Sequence, residues 1–386
     1  MKIVYLSNFF NHHQKPLADA LYSMLGDDYY FIETCAGIPE EQRKLGYHSY
    51  DAPYVRQYAK EKIFINRIIS EAEVVILGEA PLSLIKTRIR EGKLTIRDDE
   101  SRYKNPNRYL KWPIYTYNSL YLNKGYLLCS SAYAPVDYML SSMNPRKCFR
   151  WGYFPEVKKL DIDALLQKKG GGSQFQSISI LWTGRLIGLK HPEAAIYVAE
   201  RLKREDVQFE MNIIGTGRKK SRLERLIENK KLGDKVHLLG SMPPEEVRDY
   251  MEKADIFLFT SDRREGWGAV LNESMSSGCA VIADSNIGAV PFLIQDGVNG
   301  LVYRSTNYEH LYEKVLSLVN NPTMIRTLGR KAYLSMAETW NGENAANNLI
   351  LLCDALLRGE DTPVKDGPCS HAPLLMRTYK GRFKIL

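Results

Sequence analysis

Two glutamates eight positions apart, Glu265 and Glu273, enclose a glycine-bearing loop and the start of a helical pattern in the run REGWGAVLNESMSSG. Upstream, Asp255-Ile256-Phe257-Leu258-Phe259-Thr260-Ser261 is apolar and bounded by turn residues, which predicts a buried strand. Ala269 to Ser277 predicts a helix stopped at Gly278. A strand, a loop and a helix start in this order suit a phosphorylated sugar nucleotide. Gly266 and Gly268 remove side chains where a diphosphate must approach the main chain, and the helix N-terminus adds partial positive charge. Carboxylates beside phosphates repel them, so Glu265 and Glu273 are expected to accept hydrogen bonds from sugar and ribose hydroxyls instead. The plainer alternative is a solvated Glu265 and an ordinary helix-surface Glu273.

The elements that must hold this loop come in two alternating series. In the first half, strands are expected at Lys2 to Leu6, Tyr29 to Glu33, Glu73 to Leu77, Lys93 to Ile96 and Gly125 to Ser130. Helices are expected at Gln14 to Met24, Glu61 to Ser70 and Leu82 to Glu91. A second series places strands near 178–183, 208–214, 235–239, 255–260, 279–283 and 300–303. Such alternation predicts an α/β protein with parallel sheets covered by helices. At 386 residues the chain is too long for one ordinary core. We divide it into a Rossmann-like domain at 1–155, a linker at 156–175, a second Rossmann-like domain at 176–342 and a C-terminal helix and tail at 343–386. The linker reading rests on the polar segment ending in Lys168-Lys169-Gly170-Gly171-Gly172-Ser173, and two domains facing a cleft is the natural assembly.

The run around the two glutamates resembles the E-x7-E signature of retaining glycosyltransferases of the two-Rossmann-domain GT-B fold, specifically the large family 4. The resemblance extends from about Ile178 to Pro322 through three further blocks in the family's order. These are Trp182-Thr183-Gly184-Arg185-Leu186 followed by Lys190, Ile213-Ile214-Gly215-Thr216-Gly217, and Val236-His237-Leu238-Leu239-Gly240-Ser241-Met242. It implies that Glu265 contacts the transferred sugar and Glu273 the ribose, while Arg185 and Lys190 neutralise the leaving diphosphate. Gly184, Gly215 and the loop Gly266, Trp267, Gly268 and Ala269 would lie on the donor side, and Ser241 and Met242 where the base is read. It also implies that the chain end crosses back onto the N-terminal domain.

The acceptor side departs from the family. Asn11-His12-His13-Gln14 follows the first strand where many members carry a glycine-rich loop. Gly78-Glu79-Ala80-Pro81 stands where several relatives have a histidine, so Glu79 is only a positional substitute. His12, His13, Glu79 and Arg97 are the acceptor-side candidates. Asp98-Asp99-Glu100, flanked by Arg97 and Arg102, is expected to pair internally.

Other signals are set aside. Gly215-Thr216-Gly217 lacks the third glycine of a dinucleotide fingerprint, Lys220 standing in its place, so no nicotinamide cofactor is expected. Asp161-Ile162-Asp163 matches a metal-holding string of other glycosyltransferases, but aspartates at a helix start have an ordinary use against the helix dipole. No metal is expected, because Arg185 and Lys190 supply the positive charge.

Composition bounds the rest. With 53 basic against 45 acidic residues the net charge is +8, and residues 1–155 hold 21 and 16 of them. The signs are mingled, which does not indicate a nucleic-acid binder yet suits anionic substrates and anionic lipid surfaces. Six cysteines without paired short spacings predict reduced, mostly buried thiols. No apolar run reaches a membrane span, so a cytoplasmic protein is expected. The tail Arg377-Thr378-Tyr379-Lys380-Gly381-Arg382-Phe383-Lys384-Ile385-Leu386 alternates basic and apolar residues; it is expected to pack on the N-terminal domain or to be disordered, the alternative being contact with an anionic membrane.

The resulting expectation is a retaining transfer of sugar from a nucleoside diphosphate sugar, UDP favoured, to a glycan or a polyprenyl-diphosphate-linked saccharide of a cell-surface polysaccharide. A sugar-nucleotide epimerase of the same fold and a non-catalytic sugar-nucleotide or glycan-binding module are the alternatives. The paired-carboxylate chemistry of glycoside hydrolases fits poorly, because Glu265 and Glu273 have separate binding duties.

Overall fold

A computed structural model describes residues 1–38, 40, 50–101, 124–140, 142–169, 177–377 and 384–385. They form two compact units, one of Met1–Glu156 with Thr339–Met376, the other of Val157–Glu338.

In the first unit, β1 (Ile3–Ser7), β2 (Tyr29–Glu33), β3 (Val55–Gln57), β4 (Val74–Leu77), β5 (Thr95–Asp99), β6 (Tyr126–Cys129) and β7 (Cys148–Arg150) form a parallel sheet in the order β3-β2-β1-β4-β5-β6-β7. The central strands β1 and β4 are buried throughout, as continuous apolar runs covered on both faces require. The short edge strand β3 and the short β7 were not expected, since Val55-Arg56-Gln57 and Cys148-Phe149-Arg150 carry too few apolar residues to stand out. Helices α1 (Lys15–Leu25) and α2 (Lys62–Glu71) fall near their expected places, whereas residues 82–91 divide into a 3-10 turn, Leu82–Ile85, and helix α3 (Lys86–Arg90). A further short helix, α4, spans Ala134–Met139.

In the second unit, β8 (Ile178–Thr183), β9 (Phe209–Ile214), β10 (Val236–Gly240), β11 (Ile256–Phe259), β12 (Ala280–Asp284) and β13 (Leu301–Tyr303) are parallel in the order β10-β9-β8-β11-β12-β13. Its first helix is α5 (Ile162–Gln167). Helices α6 (Glu193–Arg204), α7 (Lys220–Asn229), α8 (Pro244–Lys253), α9 (Val270–Ser276), α10 (Val290–Leu293), α11 (Tyr308–Val319) and α12 (Pro322–Leu334) follow. The core is built by the inner faces of α6, α11 and α12 against the sheet, with Ile180, Met211, Leu258, Val315 and Leu328 fully buried or nearly so.

The stretch read as a linker begins inside this unit. Ile162 and Leu166 of α5 pack with Tyr333 of α12. Lys169 is 2 % exposed, its ammonium donating to Met251 O at 3.2 Å and to Ser277 O at 2.8 Å. Those carbonyls lie at the C-terminal ends of α8 and α9, where a cation meets the negative end of each helix dipole. The polar letters of Lys168-Lys169 concealed a packed segment; residues 170–176 lie outside those described. Asp161 caps α5 by accepting from Ala164 N, and Asp163 pairs with Arg330 at 2.9 Å.

The last long helix, α13 (Gly342–Leu357), packs against α1 in the first unit. The approach is so close that a Cβ on Gly342 would stand 2.6 Å from the Pro16 carbonyl carbon. Of the basic tail, residues 378–383 and 386 lie outside those described. Among the described residues no helix is long and apolar enough to cross a membrane.

Gly342→Ala forces the new methyl against backbone that has no rotamer to change, so it should destabilise the protein by about 1–3 kcal/mol. Urea unfolding at equilibrium measures this, and an unchanged midpoint would show that α13 can move off α1 without cost.

Candidate functional site

In each sheet the chain reverses its direction of strand addition once, between β1 and β4 and between β8 and β11. Loops beyond the carboxyl ends of strands part at such a switch point, and ligands of open α/β sheets bind there. In the second unit these are the loops that carry Gly184 to Lys190 and Thr260 to Ala269.

Two of the residues expected to carry the chemistry meet across that point. Lys190 Nζ lies 2.5 Å from Glu265 Oε2, both side chains largely covered. The Phe259 ring lies beneath them, its centroid 6.0 Å from Lys190 Nζ. Gly268, with φ of 85°, closes the same corner: a Cβ there would overlap the Phe259 ring and sit 3.3 Å from Glu265 Cγ. Glycine is therefore required at 268 both by the left-handed backbone and by the close approach of the Phe259 ring. Arg185 is exposed on the first loop, with no carboxylate partner among the described residues.

The first loop is fastened from both sides. Gly184 N donates to Ile214 O at 3.0 Å, Leu186 N to Thr216 O at 2.8 Å, and Lys219 N to Leu186 O at 2.9 Å, which join it to the loop after β9. A Cβ on Gly215 would overlap the Gly184 carbonyl oxygen. Gly215 thus lets the loops after β8 and β9 touch, main chain against main chain. Gly215 N in turn donates to Gly240 O at 2.6 Å, which fixes the turn ahead of Ser241 and Met242. On the other side, Thr260 Oγ1 donates to Lys190 O at 2.7 Å and accepts from the buried Trp182 indole at 2.8 Å.

Asp262 N donates to Leu189 O at 2.9 Å. The Asp262 carboxylate accepts from Arg264 at 2.6 Å and lies 2.9 Å from His191 Nε2. Burial alone would raise this carboxyl, but the hydrogen bonds from His191 and Arg264 outweigh it and hold Asp262 well below the usual carboxylate range. An ionised carboxylate only accepts, so Nε2 of His191 carries a proton and donates.

Glu273 lies in the first turn of α9. Its carboxyl is pushed up to about 7 by burial, with the Arg248 guanidinium pulling in the opposite direction. Arg248 also donates to the Glu273 carbonyl at 3.0 Å and to Ser276 Oγ at 2.9 Å. The Trp267 side chain is directed into the core. It is fully buried, its indole donating to Asn272 Oδ1 at 2.8 Å and its ring lying 6.3 Å from Phe292. Gly266 is buried beside it, and Gly268 and Ala269 are half-buried. Sequence reasoning missed Thr260, Asp262, His191 and Arg248. The one signal in reach was the position of His191 immediately after Lys190.

The acceptor-side candidates are in the first unit. Asn8 Nδ2, beyond β1, donates to Glu79 beyond β4 at 2.9 Å, so these two residues span its switch point. His12 and His13 precede α1 with ring centroids 3.9 Å apart, and His13 stacks 6.2 Å from Tyr153. Arg97, on β5, pairs with Asp99 at 3.1 Å. Asp98 accepts from the Tyr5 hydroxyl and from Ser130 Oγ. Burial raises it to about 6 against those hydrogen bonds. Glu100 accepts from Tyr153 at 2.7 Å. Among the described residues the acidic run is met by tyrosine and serine hydroxyls as well as by Arg97, and Arg102 lies outside those described.

Comparison with known proteins agrees with the geometry. Residues 167–335 match the family "Glycosyl transferases group 1". The amylovoran biosynthesis glycosyltransferase AmsK of Erwinia amylovora is 35% identical over 157 residues, which cover 39% of this chain and 36% of AmsK. The N-acetylgalactosamine-N,N'-diacetylbacillosaminyl-diphospho-undecaprenol 4-alpha-N-acetylgalactosaminyltransferase of Campylobacter jejuni is 28% identical over 200 residues, 51% of this chain and 50% of that protein. The chain thus spans about a third to a half of the length of these curated relatives. Among solved structures, Anabaena Alr3699/HepE in complex with UDP superposes with a TM-score of 0.66 at 13% identity, covering 91% of this chain and 98% of that one. The two parallel-sheet α/β domains have the GT-B fold.

Thr260→Val preserves shape but removes the hydroxyl that links Trp182 to Lys190. It should cost about 1–3 kcal/mol in stability by leaving a buried donor unpaired, whereas Thr260→Ser should recover most of that loss. Equal melting of the valine and serine variants would show that the hydroxyl bridge contributes nothing.

Proposed function

We propose that this chain is a retaining glycosyltransferase of cell-surface polysaccharide synthesis, moving a sugar from a nucleoside diphosphate sugar, UDP-linked by preference, to a hydroxyl of a glycan or lipid-linked saccharide. The observation that carries the proposal is the approach of Lys190 to within 2.5 Å of Glu265 across the switch point of the second sheet. A cation suited to a diphosphate and a carboxylate suited to sugar hydroxyls occur there together. As the bond between the anomeric carbon and phosphate breaks, negative charge grows on the leaving diphosphate. Arg185, Lys190 and the amides of Gly266 to Ala269 meet that charge, which needs no metal ion. Glu265 holds the sugar hydroxyls and Glu273 the ribose. The acceptor hydroxyl attacks from the face the diphosphate leaves, giving its proton to the departing phosphate oxygen.

The curated names of the two relatives support the choice of substrate class, one naming amylovoran biosynthesis and the other a diphospho-undecaprenol acceptor. The UDP in the HepE complex makes UDP the first ligand to try.

Calorimetric titration in EDTA tests the division of labour between the carboxylates. Glu273→Ala should weaken UDP itself, and Glu265→Ala should weaken only sugar-bearing UDP, each by roughly 1–3 kcal/mol for one lost polar contact. Equal loss of UDP and UDP-sugar in both variants, or a wild type that binds neither without a divalent ion, would defeat the assignment.

The raised carboxyl of Glu273 supplies a separate check. Its folded value of about 7 lies above the value of about 4.3 for an unfolded glutamate, so it favours folding below the unfolded value and loses that contribution as pH rises through about 7. Glu273→Gln, which stays neutral, should match the wild type near pH 4 and exceed its stability by about 1–3 kcal/mol near pH 8. A difference that does not change with pH would show that Glu273 ionises freely.

A further inference from the structure

His191 follows Lys190 directly and has a left-handed backbone, with φ of 46°, in the region that favours glycine. Its imidazole is held on both sides: Nδ1 lies 2.9 Å from the Tyr308 hydroxyl, and Nε2 lies 2.9 Å from Asp262 Oδ2. Asp262 is bound equally to the other loop, accepting from Arg264 Nε at 3.0 Å and from Arg264 N at 2.9 Å. One carboxylate therefore grips the residue after Lys190 and the residue before Glu265.

A lysine ends in a point charge on a flexible four-carbon stem, so its pose depends on where its backbone is fixed and on what it faces. Lys190 faces Glu265. An incoming diphosphate must draw the ammonium partly away from that carboxylate, and the backbone must then hold the lysine in reach. We propose that His191 and Asp262 are positioning residues: their side-chain bridge, and not the left-handed turn alone, sets Lys190 for contact with the terminal phosphate of a nucleoside diphosphate. This rests on the reading of the site given under the proposed function.

Glycine adopts the left-handed backbone without strain, so His191→Gly removes the bridge and keeps the path of the chain. The readout is the ratio of affinities for a nucleoside diphosphate and its monophosphate, UDP against UMP and GDP against GMP, measured calorimetrically with melting temperature followed in parallel. The wild type should prefer one diphosphate. His191→Gly and Asp262→Ala should each lower that preference about tenfold, the scale of a weakened charge-assisted contact, while monophosphate affinity stays near normal. A wild-type ratio in His191→Gly overturns the proposal whatever the melting temperature, because the turn alone would then suffice. If His191→Gly fails to fold, Asp262→Ala, which leaves no acceptor for the bridge, decides by the same ratio, and an unchanged value again overturns it. A wild type with no preference for either diphosphate removes the underlying reading of the site, so the two failures are told apart.

Discussion

The contact between Lys190 and Glu265 constrains most of what surrounds it. Two opposite charges at 2.5 Å, largely withdrawn from water, are worth holding only if both loops are fixed, because a buried pair with poor geometry costs more in desolvation than it returns. The second unit fixes them with unusual economy of residue types. Backbone amides join the loop after β8 to that after β9, and the loop after β9 to that after β10. Thr260 and Asp262 tie the loop after β8 to the loop that bears Glu265. The switch between β8 and β11 is thus closed on both sides before any ligand arrives.

This arrangement explains glycines that would otherwise suggest phosphate binding. Gly215 has no room for a Cβ because the Gly184 carbonyl occupies it, and Gly217 is equally crowded by the backbone of Leu186. Both let neighbouring loops touch. Gly268 differs, since what crowds it is the Phe259 ring and the stem of Glu265. One pair of glycines brings main chain to main chain, and the third brings a carboxylate over an aromatic face.

The sequence made the central strands legible because parallel strands covered on both faces are continuous apolar runs, as in Ile256-Phe257-Leu258-Phe259. It left β3 and β7 unseen, where three residues with partly polar side chains give no such run. At the site, the motif residues Lys190, Glu265 and Gly268 were legible as letters in a local pattern. Their supports were not. Thr260 and Lys190, or His191 and Asp262, lie about 70 positions apart in the chain, and no periodicity links such positions. The core role of Trp267 was hidden for the opposite reason: it stands inside the motif, where the pattern points to its backbone and not to an indole that donates to Asn272 in the core. Lys169 misled by composition, because a lysine beside glycines suggests solvent while its ammonium in fact closes two helix ends.

The charges of the site also bear on how a donor would enter it. Lys190 is balanced by Glu265 and Arg264 by Asp262, whereas Arg185 is exposed with no carboxylate partner among the described residues. On the function proposed above, an approaching diphosphate meets Arg185 first, at a solvated guanidinium whose long reach and planar donors suit phosphate oxygens. Lys190 joins afterwards, at the expense of its contact with Glu265. The carboxylate so released is then free to accept from sugar hydroxyls, so that one exchange prepares both halves of the donor's site. A free diphosphate would leave Glu265 with no replacement partner, and a sugar-bearing one would supply it. On that reading, the pairing of Lys190 with Glu265 favours the complete donor over its product.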